Sequence, residues 1–447
     1  MEALTYFPLY RSSAHPFNPI LFNIDHFEYD MCRYLQALDS GQLGDRDKIS
    51  EQWFSNKSIA FIALLLATLA SGCHFSLPQM SECHERRLRL APNMYAVGRT
   101  FKALQLANYL FSPSLDIIQA LLILGNTLQN LGQSDGAWVL LGTTVRLAQA
   151  LGLHIESVRQ KPGEVGSKVR AVWDSTVWQD SLLSLCQGRP TIIRSHWMSP
   201  ITQSADLLTI AVDVMGKEAM PEIAVATHLI QDISDCYRRG EPHLLSRDMC
   251  RNLHQHLEHL ICKIHVSFNI SVICRPAVRP SIAQRDDPLL QTLRSRIKES
   301  LMDTLKVFLD LTALSIMSLR IWTTVHNVLS CSLLLSMWDE TRDDSGCQDL
   351  QRRVIEVFLS AGRSSKTTAT NPTLQDSVKW LSERHARAFV AVQNALRRSS
   401  QLQHGEASAE IILPAAFSSG LNNDQTIDWG DASISPFGYV KAIINGE

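Results

Sequence analysis

The chain has 447 residues, 45% hydrophobic and 19% charged, the balance of a globular protein rather than a disordered or fibrous one. Its formal net charge of −2 excludes a chain that coats nucleic acid or an anionic membrane by bulk charge. Its ten cysteines are scattered, with no C-x-x-C, which excludes a dense disulfide scaffold and points to reduced thiols in an intracellular compartment.

Met1 is not followed by a basic region and an apolar stretch, so no secretory signal is expected. The first strong helical pattern spans Trp53–Ala70 and holds the longest apolar run, Ile59 to Ala70. Those twelve residues reach about 18 Å as a helix, short of the roughly 30 Å hydrocarbon core of a membrane. A buried core helix is predicted there. A second helix is predicted over Val97–Leu110.

In "LDIIQALLILGNTLQNL", Ile117, Leu121, Leu124, Leu128 and Leu131 recur at helical spacing and form one apolar stripe. Gly132 then stands where a left-handed C-cap is needed, and Ser134 or Asp135 is placed to cap the next helix. In that helix Trp138, Leu141, Val145, Ala148 and Leu151 form the stripe, and Gly152 closes it. The short connection predicts an antiparallel helical hairpin.

Similar periodicity continues through Val169–Leu185, Ala219–Arg239, Leu244–Phe268, Leu289–Leu311, Ile321–Trp338, Gln351–Leu359 and Leu374–Arg398. Polar stretches bearing Pro or Gly separate them at Arg159–Lys168, Cys274–Pro288 and Ala361–Thr373. No alternating β-branched runs with hairpin turns occur. The expected fold is all-α, a multi-helical bundle of antiparallel helical hairpins. Its expected organisation is a lead-in over 1–50, a helical domain over 51–400 and an acidic, largely flexible tail over 401–447. That tail carries six acidic residues against one lysine.

Chemistry is not visible in the motifs. There is no G-x-S-x-G, no phosphate-binding G-x-x-x-x-G-K-[ST] loop, and no G-x-G-x-x-G after a strand. Asp286 and Asp287 sit in a proline-bearing loop beside Arg285 and read as solvated. "CRNLHQHLEHLICKIH" pairs Cys250 with His254 and Cys262 with His265, each pair on one helix face. The pairs lie about 18 Å apart along one helix, so they do not converge on a single ion. A His-rich helix face is the expectation. Arg384, Arg387, Arg397 and Arg398 read as a solvated face rather than a phosphate track. No catalytic residue, cofactor or metal is therefore assigned, and the chain is not expected to be an enzyme.

"PSLDIIQALLILGNTLQNLGQSDGAWVLLGTTVRLAQALGLH" resembles the middle homology region of fungal-specific transcription factors, the helical regulatory domain that usually follows a binuclear zinc cluster. "EVGSKVRAVWDSTVWQDSLLSLCQGRP" extends the resemblance with a basic–aromatic helix, Asp180, and then Gly188, Arg189 and Pro190. "LRIWTTVHNVLSCSLLL" is similar to the family's later Trp-bearing helix, and "SPFGYVKAIING" to its short C-terminal segment. The resemblance covers roughly residues 15–400, with an echo at 435–446. It departs from the family in lacking the six closely spaced cysteines of the zinc cluster.

The resemblance implies a nuclear transcriptional regulator of a fungal pathway, such as a secondary-metabolite gene cluster. Promoter DNA would be met only indirectly, through another DNA-binding regulator or a zinc cluster missing from this sequence. The implied partners are the transcription machinery, a second copy as a homodimer, and a small-molecule effector, with no membrane. The alternative is a helical interaction scaffold in the cytoplasm. Asp180, Gly188, Arg189 and Pro190 are read as a structural lock, or else the lining of an effector pocket. Arg189 would hydrogen-bond Asp180 or buried carbonyls. Asp428, Trp429, Asp431, Phe437 and Tyr439, near Asp424, have the acidic–aromatic composition of an activation segment.

Overall fold

A computed structural model describes residues 2–43, 56–76, 86–193, 223–278, 287–362 and 380–403. The described residues form sixteen α-helices with short π and 3₁₀ turns and no strand, so the fold is all-α. They divide into two compact units. The first holds Met1–Pro78, Glu85–Ser184 and Thr191–Asp206; the second holds Gln79–His84, Leu185–Pro190 and Leu207–Glu447.

The first unit contains α1 (Glu2–Leu9), α2 (Ile24–Asp39), α3 (Asn56–Phe75), α4 (Arg86–Leu106), α5 (Leu115–Asn130), α6 (Ser134–Ala150), α7 (Glu156–Arg159) and most of α8 (Gly163–Gln187). The chain is already helical ahead of residue 50. Pro8 lies inside α1, and a π turn follows over Tyr10–Ala14. Asn23 starts α2 from the left-handed region and accepts the His26 N–H at 3.1 Å. The Ile59–Ala70 run lies inside α3, which packs on α1, α4 and α5. Phe7, Phe27 and Phe61 fill this end of the core, with centroids 5.7 and 5.4 Å apart. Among the described residues no helix is long and apolar enough to cross a membrane.

The α5 stripe is buried throughout: Ile117, Leu121, Leu124, Leu128 and Leu131 all face the core. Ser114 caps α5 by accepting the Ile117 N–H. Gly132 and Gly152 adopt φ of +81° and +75°, the left-handed closures their positions demand. The expected N-cap of α6 is corrected. Gln133 is the capping residue and supplies no side-chain bond, and Ser134 is drawn inside the helix, where it is buried. The polar stretch Arg159–Lys168 is corrected as well: after Pro162 the chain re-enters a helix at Gly163.

The second unit contains α9 (Ile223–Arg238), α10 (Pro242–Leu245), α11 (Leu253–Ile273), α12 (Pro288–Leu314), α13 (Trp322–Met337), α14 (Asp339–Arg342), α15 (Ser345–Gly362) and α16 (Glu383–Gln403). The helix predicted from Leu244 begins at Leu253 instead, because Asn252 breaks the run and caps α11 through the Gln255 N–H at 2.9 Å. Pro288, expected to end a loop, is the first residue of α12, and Asp287 caps it by accepting the Leu289 N–H. α11 packs on α12, α12 on α13 and α15, and α13 on α16. Phe308 stacks on Phe358, and Phe358 meets Phe389, with centroids 5.6 and 5.7 Å apart.

Candidate functional site

α8 buries a polar face. Thr176, Gln179, Asp180, Ser181 and Ser184 are all buried. Asp180 is 1% exposed. Its Oδ2 accepts the backbone N–H groups of Ile192 and Ile193, both at 2.9 Å, while Oδ1 has no hydrogen-bond partner. Burial pushes the carboxyl up to about 6, against the pull of those two amides. Asp180 therefore grips the backbone that returns after the helix ends. Gly188 sits at φ +62°, in the left-handed region that favours glycine. Arg189 is half-buried and Pro190 exposed.

A second buried polar cluster lies near the start of α8, and sequence reasoning passed over it. Arg159 is buried, lies over the Trp173 ring with its Cζ 5.8 Å from the centroid, and donates to the Leu153 carbonyl at 3.0 Å. Arg170 in turn donates to the Arg159 carbonyl at 2.7 Å. Desolvation lowers the guanidinium pKa, and the nearby charges of Asp174 and Glu156 oppose that. The available signal was a lone arginine directly after the hairpin, in "LHIESVR".

In the second unit α13 and α16 bring Trp322, His326 and His385 together. Trp322 stacks on His326 with centroids 4.6 Å apart and meets His385 at 5.1 Å. Next to them, Cys186 donates its thiol to Asn327 Oδ1 at 3.6 Å. The signal for this cluster was a histidine inside the apolar run "WTTVHNVLSCSLLL".

The His-rich stretch is arranged differently from its sequence pairing. Cys250 packs against the carbonyls of His243, Ser246 and Gln255. His254 turns to Glu258 Oε1 at 3.2 Å, and His243, from α10, meets Glu258 Oε2 at 3.1 Å. Cys262 and His265 lie deeper, and burial raises the thiol to about 12 and lowers the imidazole to about 4. Among the described residues no group of three His, Cys, Asp or Glu is placed to hold a metal ion. Asp287 serves as a helix cap, and Asp286 lies outside the described residues. Arg384 and Arg387, expected on a solvated face, are half-buried because α16 packs that side on α13 and α15; Arg397 is exposed. The candidate activation residues Asp428, Trp429, Asp431, Phe437 and Tyr439 lie outside the described residues.

Residues 8–207 match the family model described as the fungal specific transcription factor domain. No curated protein matches the chain. Among solved structures, the one titled "Structure of the K. lactis CBF3 core" is similar over 86% of this chain and 77% of that one, with a TM-score of 0.56 and 13% identity. That likeness shows a shared fold.

Proposed function

We propose, on the premise that residues 8–207 are a fungal specific transcription factor domain, that the chain is a nuclear transcriptional regulator of a fungal pathway, such as a secondary-metabolite gene cluster. The domain match is the observation that carries this reading. The buried polar contacts of α8 fit a regulatory body held in shape by its own helices: Asp180 spends its hydrogen bonds on backbone, not on a substrate. In this reading promoter DNA is met indirectly, through another DNA-binding regulator or a zinc cluster outside this sequence. The partners are that regulator, the transcription machinery and a second copy. A small-molecule effector would act on the α8 motif, and the acidic–aromatic tail, with Trp429 and Phe437, is the activating segment.

Chromatin immunoprecipitation of the tagged chain in its native cell tests the reading. Discrete promoter peaks are expected. A flat profile from abundant, folded protein overturns it and leaves the cytoplasmic scaffold.

A further inference from the structure

We propose that Trp322, His326 and His385 form an acid-released clasp that fastens α16, the last described helix, to α13. The three rings are in mutual contact, and the two imidazole centroids are 5.9 Å apart. His326 and His385 are 4% and 2% exposed. His326 Nδ1 and His385 Nε2 have no hydrogen-bond partner. A neutral imidazole fits this place, because its unshared nitrogen lies among rings. A protonated one would bury an N–H and a positive charge with nothing to accept either.

The surrounding groups reinforce that choice. Arg384, one residue before His385 on α16, adds positive charge beside both rings, and the His326 imidazole opposes protonation of His385. From the end of α8, the Cys186 carbonyl accepts from His326, and its thiol is held protonated by burial while it donates to Asn327. Among the described residues no carboxylate acts on either ring. Burial thus holds His326 down to about 3 and His385 well below the ordinary range while the helix is docked.

Release of α16 returns both rings to water, where histidine titrates near pH 6.5. Above about pH 7 the rings are neutral docked or released, so the clasp is at full strength. As pH falls through 6.5 the released state takes up two protons that the docked state refuses. From pH 7.5 to 5.5 each ring favours release about tenfold, and the pair about a hundredfold. The clasp needs nothing from the proposed role at promoters, so it stands or falls apart from that reading.

Hydrogen exchange of the full chain, corrected for intrinsic rates, reads the opening constant of α16 at pH 7.5 and 5.5. A rise of about a hundredfold is expected, reduced to about tenfold in His385→Phe. An α16 opening constant that changes less than about threefold overturns the clasp. So does one that equals the opening constant of α11 at both pH values, because His265 on α11 makes global unfolding acid-sensitive too. Imidazole ¹⁵N NMR of the unaltered chain is the second measurement, and does not depend on the variant folding. Two rings that stay neutral down to pH 5.5 are expected, and titration of His385 near pH 6.5 in the docked state overturns the proposal.

Discussion

Ile193 donates its backbone N–H to Asp180 Oδ2 at 2.9 Å, thirteen residues downstream of the carboxylate that receives it. Ile192 shares the same oxygen. A single side chain thus satisfies two amides of the returning chain, and Ile193 is 3% exposed. Asp180→Ala leaves both N–H groups without an acceptor, that of Ile193 buried and that of Ile192 half-buried, at a cost of roughly 2–4 kcal/mol. Asp180→Asn keeps an oxygen in position and removes the buried charge, so its cost is about 1 kcal/mol. Urea unfolding of the two variants checks the order. Equal losses, or none, contradict the role assigned to Oδ2.

Arg189 stands one residue after the left-handed Gly188, at the turn between Asp180 and the amides it holds. Arg189→Ala is expected to lower the melting temperature by several degrees if the arginine helps to lock that turn. A melting temperature unchanged from that of the unaltered chain assigns the lock to Asp180 alone. Arg189→Lys separates charge from fork geometry: loss with lysine as well marks a guanidinium contact.

The fold was readable where one physical signal dominated. The α5 stripe from Ile117 to Leu131 has no competing pattern, and the two closing glycines lie where only a left-handed residue ends a helix without strain. Reading failed where a side chain overrode periodicity. Asn252 split a pattern that looked continuous from Leu244, and Asp287 with Pro288 turned an apparent helix stop into a helix start. Of the candidate site, Asp180 was singled out by the family resemblance of the motif around it, but its partners were not, since backbone amides leave no mark on composition. Arg159 over Trp173 and the Trp322–His326–His385 cluster escaped for a related reason. A lone polar residue in an apolar run reads as a boundary or an accident until its distant partner is known.

Gly72 on α3 marks a backbone crossing the sequence did not announce. A Cβ added there would overlap the carbonyl of Tyr6 on α1, and backbone does not step aside as a flexible side chain does. Gly72→Ala is therefore expected to destabilise the first unit by about 1–3 kcal/mol through overpacking. Gly98 on α4 is the matched control, with open space around an added Cβ and an exposed position. Gly98→Ala should stabilise by up to about 1 kcal/mol from helix propensity. Thermal unfolding of the pair checks the contrast, and two shifts of the same sign contradict it.

The two units carry buried titratable groups of opposite sign. Asp180 in the first has its folded pKa raised by burial to about 6, above its ordinary 3.8. The folded state binds the proton more tightly, so this group's contribution is full below about pH 3.8 and is lost as pH rises through 6. In the second unit His265 and His326 are lowered to about 4 and about 3, from 6.5. There the unfolded state binds the proton more tightly, so the contribution is full above 6.5 and drains away as pH falls toward those values. Acidification from pH 7.5 to 5 should therefore relieve the cost of Asp180 while it weakens the unit built on the histidines. Hydrogen exchange of α5 and α8 against α11 and α13 across that range separates the two trends. Asp180→Asn should remove the acid-side gain in the first unit and leave the acid-side loss in the second untouched. A variant that keeps the gain would assign it to groups other than Asp180.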